Sequence, residues 1–234
     1  MLNQNIKAQA LIAYHHTKSG RLDFTSHQVV EASEVGQFTL GAGRAFTEED
    51  KQSLIDILLN VEETIEFIDT RILVKSRRLL VWYNKPQIIN VLFKGESYQA
   101  PIPGLIFIAT DGPLRCYAFK GKARPAAETK LFYVPLGNMY SNGGFCTGNC
   151  DTPKDNSVSS IPGWERFVLQ CVNTHDGGVR VLKSCNSYDE MVAFYKQLAE
   201  SNAKQFPAKE LMPAQHQYEH LTLGTAIRVN GERY

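Results

Sequence analysis

The chain has 234 residues, a length that suits one generous domain or one domain with an elaborated terminus. A hydrophobic share of 43% is ample for a packed core, and a net charge of +1 argues against a dedicated nucleic-acid binder, whose field would be strongly basic. No apolar run is long enough to span a bilayer, and the first seven residues lack the basic leader and apolar core of a signal peptide. Five scattered cysteines, an odd number, read as reduced thiols of a cytoplasmic protein and not as a disulfide framework.

Residues 8–45 read as β structure. Ala8 to Tyr14 is a strand and Ser19-Gly20 a turn; Val29 to Ala32 and Phe38 to Leu40 are shorter strands separated by Val35-Gly36. Gly41-Ala42-Gly43 is glycine-rich, but no Gly-Lys-Ser/Thr follows, so it is not a phosphate-binding loop. His15 and His16 stand at a strand end, where a metal site and a solvated turn are the two readings. Thr47-Glu48-Glu49-Asp50 resembles a capping box and opens a helix whose acidic first turn suits the helix dipole. Leu54, Ile57, Leu58 and Val61 fall at i, i+3, i+4 and i+7, the spacing of one apolar face.

Four strands are expected next, at Leu79–Tyr83, Ile88–Phe93, Leu105–Ala109 and Arg115–Phe119, with Pro86, Pro101, Pro103 and Asp111-Gly112-Pro113 as breakers. Consecutive strands on short turns form an antiparallel meander. Basic residues cluster at Lys75, Arg77 and Arg78 and again at Lys120, Lys122 and Arg124, either as a solvated face or as a docking surface for an acidic partner. Further on, Ser160 and Pro162 open a helix with the apolar stripe Trp164, Phe167, Val168 and Cys171. A second helix starts at Ser187, with Glu190 closing a capping box and Tyr188, Met191, Val192, Tyr195 and Leu198 facing inward. From Lys204 onward Pro207 and Pro213 break regularity, and a loosely packed tail with a short strand at Ala226–Val229 is expected. The chain therefore divides into an N-terminal β extension (1–45), an α+β domain (46–202) and a C-terminal tail (203–234).

The chemistry concentrates between Val134 and Asn149. The segment begins as a strand, turns at Gly137, and then places Cys146 between Gly143-Gly144 and Gly148. Phe145 is the anchor that packs inward so that Cys146 faces out. A thiol on a tight glycine-flanked loop has the access a nucleophile needs, provided its surroundings lower its pKa. The other readings are a structural thiol and a metal ligand, with Cys150, Cys171, His175 and Cys185 as the remaining donors. No second short cysteine pair supports zinc. Asn138 is either an oxyanion stabiliser or a turn asparagine bonding loop backbone. His175, in Asn173-Thr174-His175-Asp176-Gly177-Gly178, either reaches Cys146 to lower its pKa or accept its proton, or is a histidine favoured at a helix C-terminus.

This segment resembles the active-site stretch of ubiquitin-conjugating enzymes, with Leu136-Gly137-Asn138 in the His-Pro-Asn position and Asn138 eight residues before Cys146, the family spacing. The asparagine and cysteine match; the histidine and proline do not. Leu80 to Pro86, Tyr117 to Lys120, Ala127 to Tyr133, Trp164 to Phe167 and Asn173 to Gly178 also look like the PRTRC system protein B family, a prokaryotic branch of that fold lacking the usual histidine. The resemblance implies a ubiquitin-conjugating-enzyme-like α+β fold: helix, four-stranded antiparallel meander, active-site loop and C-terminal helices, behind the N-terminal β extension. It implies a bacterial transferase carrying a ubiquitin-like protein as a thioester on Cys146, with Asn138 as the supporting residue; His175 is a candidate from its own position alone. The implied partners are the ubiquitin-like protein, a ThiF-like activating enzyme and a metallo-deubiquitinase-like protein; no cofactor is needed, because ATP is used by the activating enzyme. A non-catalytic scaffold on the same fold, binding the ubiquitin-like protein or plasmid-encoded partners, is the rival.

Overall fold

The computed structural model describes residues 8–31, 37–59, 69–148 and 150–231. The chain divides into two units, residues 1–66 and 67–234, and each is taken by itself.

In the first unit, β1 (Gln9–His15), β2 (Leu22–Glu31) and β3 (Phe38–Ala45) form an antiparallel sheet in the order β1-β2-β3. The expected strands are present, the first shifted by one residue and the other two longer, and Gly41 to Gly43 lie inside β3. His16 sits in the β1–β2 turn, where its Nε2 meets the Asp23 carboxylate at 2.9 Å. The helix α1 (Glu48–Leu59) starts as expected. Thr47 Oγ1 accepts from the Asp50 N–H (3.2 Å) and the Asp50 carboxylate accepts from the Thr47 N–H (2.9 Å), two otherwise unpartnered donors satisfied reciprocally. Arg44 grips the same carboxylate and holds it well below the usual carboxylate range. The apolar stripe differs from expectation. Leu54 is half-buried, lining a cleft with Leu11 and Phe46, but Leu58 is 73% exposed. A three-stranded sheet covers only the first turns of the helix; Val61 and the Ile57 side chain lie outside the described residues.

The second unit is built on a sheet of β4 (Ile72–Lys75), β5 (Leu79–Asn84), β8 (Gly104–Thr110) and β9 (Arg115–Phe119), in that order. Between β5 and β8 runs the hairpin of β6 (Gln87–Phe93) and β7 (Glu96–Ile102). The pairings Asn84↔Leu105 and Gln87↔Ile102 keep one register across the gap. The two pairs are thus the two halves of one long hairpin with Lys94-Gly95 at its tip. Pro86 and Pro103 interrupt the ladder at the bend, since proline donates no N–H. This corrects the expected strand order. Leu79–Tyr83 and Ile88–Phe93 are not neighbours but successive stretches of one bent strand, and the strands at 72–75 and 96–102 complete the sheet.

Both faces of the sheet are covered, so β5 is buried at every position. On one face Leu80, Trp82 and Phe107 pack with α2 (Ile161–Gln170) and α3 (Tyr188–Glu200). Trp164, Phe167 and Val168 supply the expected stripe of α2, and Met191 and Tyr195 are the fully buried residues of α3. A polar clamp fixes α2 to the sheet: Glu165 Oε1 accepts from Trp82 Nε1 (3.1 Å) and from Arg71 Nη1 (2.7 Å). Ser187 caps α3 by accepting from the Glu190 N–H, but Glu190 turns its carboxylate to the Asn186 N–H. Ser160 does not cap α2: its hydroxyl donates to the Asp155 carboxylate, and Pro162, one of the positions such a cap would serve, has no N–H.

On the other face Val81, Ile106, Tyr117 and Phe119 pack against Leu221, Leu223 and Ala226. The expected loose tail is therefore wrong for residues 203–231. It carries the short pair β10 (Gln215–His216) and β11 (Glu219–His220) and ends in α4 (Leu223–Gly231), a helix where a strand was expected. An apolar sheet face of that size has to be covered, and this segment covers it. Of the basic residues, Arg124 donates to the carbonyls of Thr70 and Ile72 beside β4, and Lys120 lies over the Phe132 ring. Among the described residues no helix is long and apolar enough to cross a membrane.

Candidate active site

After β9 the chain returns through Phe132, which pairs with Ala118, and reaches Gly137. From Asn138 to Cys146 it folds back on itself. The Cys146 N–H donates to the Asn138 carbonyl (2.7 Å), Met139 bridges Phe145, and the Tyr140 N–H donates to the Gly144 carbonyl (2.8 Å). The eight-residue spacing is thus the circumference of a closed hairpin, with asparagine and cysteine facing each other across its base. Residues alternate between its two sides as in any ladder. Met139 and Phe145 form the inward pair; Met139 is fully buried and Phe145 packs edge-on against Phe167 of α2. Asn138, Tyr140 and Cys146 fall on the other side, with Cys146 half-exposed and Tyr140 41% exposed.

The base of the hairpin lies against residues 172–177, which follow α2. Asn138 makes the join. Its N–H donates to the His175 carbonyl (2.8 Å) and its Nδ2 to the Val172 carbonyl (2.8 Å). Its Oδ1 accepts from both the N–H and the hydroxyl of Thr174 (2.9 Å each). Asn138 also holds φ at 60°, a left-handed conformation that asparagine tolerates better than most residues. Gly137 explains the departure from the His-Pro-Asn pattern. A Cβ there would come within 2.7 Å of the His175 carbonyl oxygen and 2.9 Å of Asn173 Cβ, so no proline fits. Leu136, in the histidine's position, is buried in the core. Gly177 seals the other side of the contact: at φ 70°, a Cβ on it would lie 1.8 Å from the Met139 carbonyl oxygen.

His175 does reach Cys146. The Tyr140 hydroxyl, the His175 ring and the Gly148 N–H are gathered around the Cys146 thiol, and their favourable interaction with its charged form brings its pKa down to about 7. Tyr140 is the largest cause, and the thiolate in turn pushes the Tyr140 phenol up. The Gly177 N–H donates to His175 Nδ1 (2.8 Å), which assigns the neutral ring's proton to Nε2. Asn138, Cys146 and His175, all named from the sequence, converge here. Tyr140 was missed, although a hairpin register would have found it: it is the diagonal same-side neighbour of Cys146.

The remaining thiols separate from the site. Cys116 is fully buried in β9 and its pKa is pushed well up by burial. Cys185 is buried and its thiol faces the Glu190 carbonyl at 3.5 Å. Cys150 and Cys171 meet each other, with sulfurs 2.7 Å apart. Among the described residues no three Cys, His, Asp or Glu side chains gather as a metal site would need.

No curated protein and no solved structure matches the chain. A model of prokaryotic E2 family D matches residues 51–214, from within α1 through the sheet, the hairpin, α2 and α3. The antiparallel sheets and four helices are compatible with a ubiquitin-conjugating-like fold. With a match over well more than half of its length, the chain belongs to prokaryotic E2 family D.

Proposed function

We infer that Cys146 carries a ubiquitin-like protein as a thioester, received from an activating enzyme and passed to an amine. The observation that carries this reading is the convergence of Tyr140, His175 and Gly148 on the Cys146 sulfur. With a pKa of about 7 roughly half of the thiol is thiolate at neutral pH, and the thiolate is the nucleophile. In loading, the sulfur attacks the carbonyl carbon of the thioester on the activating enzyme, a new S–C bond forms, and the partner's thiolate leaves. In discharge, the acceptor nitrogen attacks the same carbonyl carbon, the S–C bond breaks, and Cys146 departs as thiolate while the amine loses a proton to solvent. The donors that activate the nucleophile also stabilise the leaving group, so one arrangement serves both steps.

Asn138 spends one amide hydrogen on Val172 and fixes the hairpin base on residues 172–174. Its second amide hydrogen is the donor for the oxyanion that develops during discharge. The half-exposed thiol at the base of a hairpin leaves room for an extended peptide terminus to approach.

The test is to mix the protein with a cognate ThiF-like activating enzyme and ubiquitin-like protein, with ATP, and to resolve products with and without reductant. A reductant-sensitive adduct that Cys146→Ala abolishes is expected. An adduct of equal yield on the Cys146→Ala protein would sink the thioester reading and favour a scaffold.

A further inference from the structure

A second pair of thiols joins the turn after Cys146 to the end of α2. Cys150 closes a turn in which its N–H donates to the Thr147 carbonyl (2.8 Å), and Cys171 follows the last residue of α2. Their sulfurs are 2.7 Å apart, far inside an ordinary non-bonded sulfur contact and close to the roughly 2.05 Å of a covalent bond. Little movement separates the two states. The pair is also reachable. Cys150 is exposed, and both residues line a cleft of about 520 Å³ with Asp151, Pro153, Arg166 and Phe167. That volume admits a small oxidant or a tripeptide-sized disulfide. Arg166 on its wall offers a cation to an anionic reagent.

We propose that Cys150 and Cys171 are a redox couple, closed to a disulfide by a hydroperoxide, which clasps the turn after Cys146 to the end of α2. The Cys150 sulfur attacks the terminal peroxide oxygen; the O–O bond breaks, the departing oxygen takes up the thiol proton and leaves as an alcohol (as water where the oxidant is hydrogen peroxide), and Cys150 becomes a sulfenic acid. The Cys171 sulfur then attacks the Cys150 sulfur. The S–S bond forms, the S–O bond breaks, and the hydroxyl leaves as water with the Cys171 proton. Two thiols lose two electrons, and one hydroperoxide is reduced. Exposure decides the order: Cys150 faces solvent, while burial and the neighbouring sulfur push the Cys171 thiol up to about 12 and keep it protonated until the sulfenic acid forms beside it.

The placement gives the clasp a consequence. Residues 147–150 carry the Gly148 N–H that meets Cys146, and residues 172–174 carry the groups that hold Asn138. The disulfide joins these two supports of the site. The inference goes beyond the thioester reading and does not depend on it, because it is read out as a crosslink.

Hydrogen peroxide is the probe, added to the full-length protein before alkylation, proteolysis and mass spectrometry. Cys150 and Cys171 should be lost from the five free thiols together, with their peptides joined and the link reversed by a dithiol reductant, whatever becomes of the Cys146 thiol. Cys171→Ser should stop the link and leave a sulfenic acid on Cys150 that a carbon-acid reagent traps. Cys150→Ser should stop it with no sulfenic acid on Cys171. Cys146→Ser should form the link at the wild-type rate. A dominant Cys146–Cys150 link, a link that disappears in Cys146→Ser, or oxidation of Cys150 in wild type that never reaches Cys171 would each overturn the proposal.

Discussion

Cys146 and Cys116 belong to the same small piece of structure and behave as opposites. The Cys116 N–H donates to the Gly143 carbonyl of the hairpin that presents Cys146, so the backbones of the two are coupled directly. Yet Cys116 is sealed between two faces of a covered sheet, where desolvation keeps its thiol protonated, while three donors reach Cys146 at the half-open hairpin base. The difference is one of donors and solvent, not of flexibility or of sequence neighbourhood. A glycine-flanked loop gives access; the pKa comes from Tyr140, Gly148 and His175, which the fold delivers from three different places.

The comparison is broken most directly by chemistry. Brief iodoacetamide treatment at pH 7, followed by peptide mapping, should label Cys146 over Cys116 by at least about a thousandfold, since both thiolate fraction and access favour it. Cys171 should lag well behind as well, and Cys150 is the exposed competitor on the same loop. Preferential labelling of Cys116 or Cys171 would show that burial is not what separates these thiols.

A single methyl group should erase the contrast next. At Gly177 a Cβ has no place to go, because it would lie 1.8 Å from a backbone oxygen of the hairpin at a φ of 70°. Gly177→Ala should cost roughly 3 kcal/mol by thermal or urea unfolding and should cancel the selective alkylation of Cys146. Gly178, also at positive φ but with open space around it, is the control: Gly178→Ala meets only the conformational cost. Equal stabilities for the two variants would mean that the 175–178 turn does not press on the hairpin as described.

Asn138 sharpens the comparison at the site itself. Asn138→Ala removes three side-chain hydrogen bonds and places an alanine at φ 60°, so about 2 kcal/mol of stability should go with it. Asn138→Asp keeps the acceptor for Thr174 and loses the donor to Val172, which makes it the better probe of chemistry. Pre-charged Asn138→Asp protein should discharge to free lysine about ten- to a thousandfold more slowly, the range a lost oxyanion donor produces. Discharge at the wild-type rate in a folded Asn138→Asp protein would leave the asparagine as a clamp alone.

How much of this was legible in the sequence follows from which constraints are local. The capping residues of α1 and α3, the stripe of α2 and the spacing of Asn138 and Cys146 are short-range patterns, and the fold keeps them. The strand at 96–102 was hidden because Pro101 and Pro103 read as breakers, whereas they mark where one long hairpin bends. The tail looked unstructured because its buried residues Ala214, Leu221 and Leu223 follow no helical or strand period and answer instead to the sheet face above them. The pairing of Cys150 with Cys171 spans 21 residues and the whole of α2, a distance over which spacing says nothing. Gly137 was visible as a turn, but the reason it is glycine, the backbone of residues 173–175 lying on it, was not.

The smallest expected effect is also the most discriminating, because it tests the leading cause of the Cys146 shift. Tyr140→Phe removes one hydroxyl from an exposed ring and leaves the Met139–Phe145 anchor untouched, so the fold should survive. The thiolate loses its strongest donor, and the midpoint of the pH–alkylation profile should rise from about 7 toward the ordinary thiol value. If it rises by about one unit, the thiolate fraction at pH 7 falls from about a half to about a tenth, but the more basic thiolate is about threefold more reactive, so labelling there slows only about twofold. Above pH 9 the order should reverse. There both proteins are thiolate, and the thiolate of higher pKa is the better nucleophile, by about threefold per unit at a Brønsted slope near 0.5. Two profiles that cross are the signature of a lost hydrogen bond to sulfur. Profiles that stay parallel, with the variant slower at every pH, would mean that Tyr140 governs access to Cys146 and leaves its charge alone.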